Sequence, residues 1–144
     1  MRWALLCMVC LGFLFVGCGG GGTKKKSETD SVFKLLKQEF ENKYPGKTLQ
    51  RDSALDKACY EHAHEWAYAG TTVYNSNLST PHGDSPQERA DYYGYSGTVL
   101  VDNGHYFADP KTPTSDVAQW FINAGVLNNS NCKKIGIAKY YCPS

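Results

Sequence analysis

The chain has four histidines, and two of them, His62 and His64, stand between Glu61 and Glu65. Imidazole and carboxylate groups hold zinc, and a catalytic zinc takes about three protein ligands and keeps one position for water. Side chains at i and i+2 of a helix point about 200° apart, so His62 and His64 cannot share an ion if this segment is helical. His62 falls on the apolar stripe of that helix and reads as a hydrogen-bonded core or cleft-edge residue, whereas His64 reads as solvent-facing. Gly94-Tyr95-Ser96-Gly97 offers a serine but lacks the Gly-x-Ser-x-Gly elbow of a serine hydrolase. Cys59 lies on the same buried stripe as His62, where a thiol has neither the ionisation nor the access a nucleophile needs.

The elements that must position these residues follow from the spacing of apolar positions. Val32, Leu35, Leu36 and Phe40 recur at helical intervals after Ser31, and Pro45-Gly46 oppose continuation. Ser53 with Asp56 three positions on reads as a capped start for a second helix, whose stripe is Leu55, Cys59, His62, Ala63, Trp66 and Ala67 up to Gly70. Ser85-Pro86-Gln87-Glu88 is a capping box with proline at the first helical position, and Gly94 ends that short helix. Thr98 to Val101 is β-branched and apolar, a buried strand; Thr114 or Ser115 caps a helix burying Val117, Ala118, Phe121 and Ala124 before Gly125; Ile135 to Cys142 is a last strand. Mixed helices and strands without regular alternation indicate α+β with an antiparallel sheet rather than a doubly wound sheet.

The N-terminus is a separate unit. Met1-Arg2 precedes an apolar run of about 15 residues that ends at Gly17-Cys18 and four glycines, short of the roughly 20 residues a spanning helix needs. Phe15-Val16-Gly17-Cys18 resembles the lipobox at which bacterial lipoprotein signal peptides are cut, with phenylalanine where leucine is usual. The resemblance implies a signal peptide over residues 1–17 and a diacylglycerol-bearing Cys18, held firmly because two or three acyl chains anchor where one does not. Residues 18–30 then form a lipidated cysteine and flexible tether, whose Lys24 to Lys26 can meet anionic head groups, and residues 31–144 one domain. The expected location is the cell membrane or outer membrane, facing the periplasm or exterior. Without Arg2 the balance is 14 basic to 14 acidic residues, which gives no electrostatic reason to bind nucleic acid. Export favours disulfides; with Cys18 acylated, Cys59, Cys132 and Cys142 are three candidates. A straight strand between Cys132 and Cys142 would hold them about 33 Å apart, so bonding of Cys59 to either is preferred.

The segment Leu55 to Ala67, then His82, Arg89, Gly94-Tyr95, Asp102-Asn103-Gly104, Trp120, Gly125 and Ile135-Gly136-Ile137, resembles the CAP superfamily (cysteine-rich secretory proteins, antigen five, pathogenesis-related one) in a compact bacterial form. The likeness covers nearly all of residues 31–140 and implies an α-β-α sandwich with a small antiparallel sheet between helices. Relatives carry a cleft tetrad of two histidines and two acidic residues that can bind a divalent metal. His82 matches the first histidine, Asp102 stands where the family has glutamate, and Val126 stands where the second histidine would follow Gly125. A metal site would therefore need His105 as its third ligand. In an extended segment His105, three residues after Asp102, faces the opposite side, so a turn at Gly104 would have to reunite them.

These residues lead to a non-enzymatic membrane-tethered binding module with a degenerate metal site and no required cofactor. Its partner would be a protein, an envelope component or a hydrophobic small molecule. The alternative is a divergent metal-dependent hydrolase using His82 and Asp102, with His105 as substitute ligand. Ten tyrosines suit either a recognition surface or the edges of a small core.

Overall fold

The computed structural model describes residues 5–6, 22–109 and 111–141, with side chains from Glu28 onward. Its elements are β1 (Leu5–Leu6), α1 (Gly22–Lys43), β2 (Gln50–Arg51), α2 (Ser53–Tyr68), α3 (Pro86–Tyr92), β3 (Thr98–Val99), α4 (Thr114–Asn123) and β4 (Lys134–Ile135). This is the mixed α+β class expected. Cys18 and Cys142 lie outside the described residues.

Helix α1 starts at Gly22, not after Ser31, so the backbone of residues 22–30 is helical where a flexible tether was expected. Long-range polar contacts hold the helix at Glu28 and Asp30. Glu28 accepts from Lys139 Nζ and, at 3.2 Å, from the Tyr141 hydroxyl, and Asp30 pairs with Arg51 at 2.7 Å. Farther along, Val32, Leu36 and Phe40 are buried against Val117, Ala118 and Phe121 of α4, together with Leu49, Val126, Leu127, Ile135 and Ile137. Fully burying one such side chain stabilises by about 1.5–3 kcal/mol.

Helix α2 begins one residue earlier than its sequence signal: extended Asp52, not Ser53, caps it, its Oδ1 accepting from the amides of Ala54 and Leu55 at 2.9 and 3.1 Å. Asp56 is thereby free to bind elsewhere, and it accepts from Arg51 Nε and from the amide of Ile137. Gly136 makes this junction; a Cβ there would lie 2.4 Å from the Leu55 carbonyl carbon. Ser85 caps α3 as expected, accepting from the Glu88 amide at 3.2 Å. Neither Thr114 nor Ser115 caps α4, whose N-cap residue is Pro113.

The strands are shorter than their apolar runs, and their pairing is parallel where an antiparallel sheet was expected: β2 with β4 and β1 with β3. The reason is topological. The chain from residue 52 to 133 intervenes between β2 and β4, long enough for the crossover a parallel pair requires and unlike the tight turn that makes an antiparallel hairpin. β3 is also not a buried strand; Thr98 is exposed and Val99 half-buried. Cys59 and Cys132 are buried in separate apolar clusters and are not bonded to each other, which removes one expected disulfide pairing. Among the described residues no helix is long and apolar enough to cross a membrane.

Candidate functional site

Consecutive residues of α2 serve two different polar groups, because neighbours on a helix diverge by about 100°. Glu61 and His62 are both buried, at 9% and 1% exposure. The carboxylate of Glu61 accepts from the Thr80 hydroxyl at 2.7 Å, the Tyr93 hydroxyl at 2.8 Å, the His82 amide at 3.3 Å and, in the shortest contact, His82 Nδ1. Burial pushes this carboxyl up, but the hydrogen bonds from Thr80, His82 and Tyr93, with the charge of His82, outweigh it and hold the group below its ordinary 4.5. Burial and the bond to Glu61 push the Tyr93 phenol up to about 12. His82 is half-exposed. Its ring stacks on Tyr92, with centroids 3.7 Å apart and planes 13° from parallel, and the Tyr92 ring is itself exposed.

His62 sits at the centre of the second group. Its Nε2 lies 2.8 Å from the Asn75 carbonyl and its Nδ1 lies 3.2 Å from Arg89 Nη2. A guanidinium only donates, so Nδ1 accepts and the proton resides on Nε2. Burial and then the positive charge of Arg89 drive its pKa from 6.5 to about 4, against the opposing bond to Asn75, so the ring is neutral at pH 7. Arg89 is fully buried and also donates to the carbonyls of Ser76 at 2.7 Å and Leu78 at 3.1 Å. His62 and Arg89 together fasten the loop from Asn75 to Leu78, which leads to Thr80 and His82. Gly83 completes that turn against the start of α3, where a Cβ would come within 2.8 Å of the Arg89 amide nitrogen.

Asp102 belongs to this second group. It accepts from the Tyr74 hydroxyl in a very short contact, and its Oδ2 lies 3.8 Å from His62 Nδ1. Tyr74 reaches it by packing edge-on against Trp66, and Gly104 has no Cβ because one would lie 2.5 Å from the Tyr74 ring. A cavity of about 260 Å³, lined by Ser76, Ser85, Gln87, Val99 and Asp102 among others, opens beside the carboxylate.

The three residues considered for a metal are distributed over three environments. His82 pairs with Glu61, Asp102 with Tyr74 beside His62, and His105 stacks on Trp120 at 3.9 Å with its edge to Phe107. Burial lowers the His105 pKa. Among the described residues no group of three or more His, Cys, Asp or Glu side chains is placed to hold a metal. Val126 is buried in the main core. His64 is half-exposed between Tyr68 and Tyr140, 3.1 Å from Glu65.

Sequence reasoning missed the roles of Glu61 and Arg89. A signal for Glu61 was present in its place at the edge of the apolar stripe, next to His62.

The model of the cysteine-rich secretory protein family, CAP, matches residues 43–144. No individual curated protein and no solved structure matches the chain. The matched span includes α2, the His82 turn, Asp102 and β4. The chain belongs to the cysteine-rich secretory protein (CAP) family.

Proposed function

We propose that this CAP domain is a membrane-tethered, extracytoplasmic binding module without catalytic activity. What supports the reading is that His82 is closed onto Glu61 and capped by Tyr92, and that buried Val126 stands, by the family resemblance, where the second histidine would follow Gly125. Valine has no lone pair to give a metal. What the site offers to solvent is a flat aromatic pair, His82 on Tyr92, beside the Tyr93 edge. Exposed aromatic rings with polar tips are recognition chemistry, suited to a protein, an envelope component or a hydrophobic small molecule. Tethering is supported by the leader and lipobox ending at Cys18. The outward-facing cell or outer membrane is the location this assigns.

Titration calorimetry of the full chain with zinc, calcium and magnesium tests the reading, with no heat of site binding expected. Stoichiometric zinc binding lost in His82→Ala, together with a hydrolytic activity lost in the same variant, would overturn it.

One observation favours a hydrolase as second reading: a buried carboxylate on His82 Nδ1 orients imidazole as it does in general-base pairs. In that case Glu61, not Asp102, is the partner of His82.

A further inference from the structure

Three of the four exposed large hydrophobic side chains among the described residues, Tyr60, Tyr68 and Val73, belong to α2 or the loop just after it. Tyr60, His64 and Tyr68 recur every four residues and so share one face of α2. Tyr140 packs across that face, with ring centroids 5.6 Å from Tyr60, 4.9 Å from His64 and 6.3 Å from Tyr68. Tyr60 and Tyr68 remain 46% and 59% exposed, and exposed Lys57 precedes them on the same face. None of these residues takes part in the His82 or His62 groups.

The course of α1 says which end of the molecule this face occupies. Glu28 near its start touches Lys139 and Tyr141, Asp30 touches Arg51, Lys37 reaches the Leu49 carbonyl, and Lys43 at its end reaches Asn128. Helix α1 therefore runs antiparallel to the segment from Asn128 to Tyr141, and its start lies beside the Lys139–Tyr141 end. Tyr140 sits between the two residues that bind Glu28. Four extended residues from Cys18 to Gly22 span at most about 14 Å, and six helical steps from Gly22 to Glu28 add about 9 Å. The tyrosine face is thus confined near the residue that carries the lipid.

We propose that the Tyr60–Tyr68–Tyr140 face rests in the head-group layer of the membrane that holds Cys18, fixing the orientation of the domain. This rests on the tethering reading above. Tyrosine suits the layer because its ring enters the apolar boundary while its hydroxyl stays hydrated, and Lys57 adds attraction to anionic lipid. The His82–Tyr92 platform lies outside this face and keeps access to partners.

The test uses an internal standard, since Tyr68 and Tyr92 are 59% and 58% exposed. The processed chain, its acylation read from intact mass, is placed in vesicles of phosphatidylethanolamine and phosphatidylglycerol and nitrated from the aqueous phase. Mass spectrometry reads nitration at each tyrosine, normalised to the Cys18→Ser full chain in buffer. Nitration of Tyr60 and Tyr68 is expected to slow at least threefold relative to Tyr92. Equal slowing of Tyr68 and Tyr92 in an acylated chain would overturn the orientation and leave the anchor standing. Absence of the acyl mass would overturn both.

Discussion

Lowering the pH from 7 to 4 forces a choice on His62, which is buried, bonded on both ring nitrogens and faced by the guanidinium of Arg89. In the unfolded chain an ordinary histidine takes up its proton near 6.5, whereas in the fold it does so only at about 4. Between those values the unfolded state binds the extra proton, so stability is complete above about 6.5 and falls as the pH drops toward 4. The window is about 2.5 pH units, and at 1.36 kcal/mol per unit the loss from this one group is about 3 kcal/mol. Tyr74 and Asp102 also face the ring, the Asp102 carboxylate at 3.8 Å, and the bond to the Asn75 carbonyl favours the proton without outweighing burial and Arg89. Urea unfolding at half-unit pH steps measures the loss. His62→Gln supplies the control, since an amide can donate and accept but does not titrate. That variant is expected to be less stable than the parent at pH 7 and to show a flatter profile by about 3 kcal/mol between pH 6.5 and 4. Parallel profiles, or an NMR titration placing His62 above pH 6, would refute the reasoning.

Glu61→Gln removes the carboxylate that binds His82, Thr80 and Tyr93, at an expected cost of about 1–2 kcal/mol near neutrality. Because the folded pKa of Glu61 lies below 4.5, that cost should shrink as the pH falls through the folded value, and denaturant midpoints at pH 7 and pH 3 compare the two. Arg89→Leu leaves the Ser76 and Leu78 carbonyls and His62 Nδ1 without their donor, and should lower unfolding free energy by about 3 kcal/mol while increasing amide exchange in residues 75–82. Gly136→Ala drives a methyl into the Leu55 backbone and should cost about 1–3 kcal/mol, read as a lower thermal midpoint with unchanged helix content.

What the sequence made legible was whatever one element could announce alone. The stripes of α2 and α4, the Ser85 cap and the Gly94 and Gly125 stops are local patterns, and the helices lie where those patterns put them. The early turns of α1 were not legible. Residues 22–30 read GTKKKSETD, with no large apolar side chain to announce a helix face, and partners such as Lys139 stand more than a hundred residues away for Glu28. The same limit applied to the strands: an apolar run shows that a segment can extend, but the direction of its neighbour depends on the path taken between them.

The Glu61–His82 pair illustrates why a site is harder to read than its scaffold. Residue types were visible, and so was a family position for His82, but the choice of partner depends on how residues 69–84 return to α2. That return is fixed by carbonyls, at Asn75, Ser76 and Leu78, which no sequence distinguishes from any others. Two side chains capture them, His62 and Arg89, and only one arrangement satisfies both: a neutral imidazole accepting from the guanidinium. Once those bonds are made, Thr80 and His82 are delivered to Glu61 and Asp102 is left to Tyr74. The acidic partner of His82 thus comes from α2 itself, and a second proton on His62, which would set a cation against the Arg89 guanidinium, weakens the hold on the loop that delivers it.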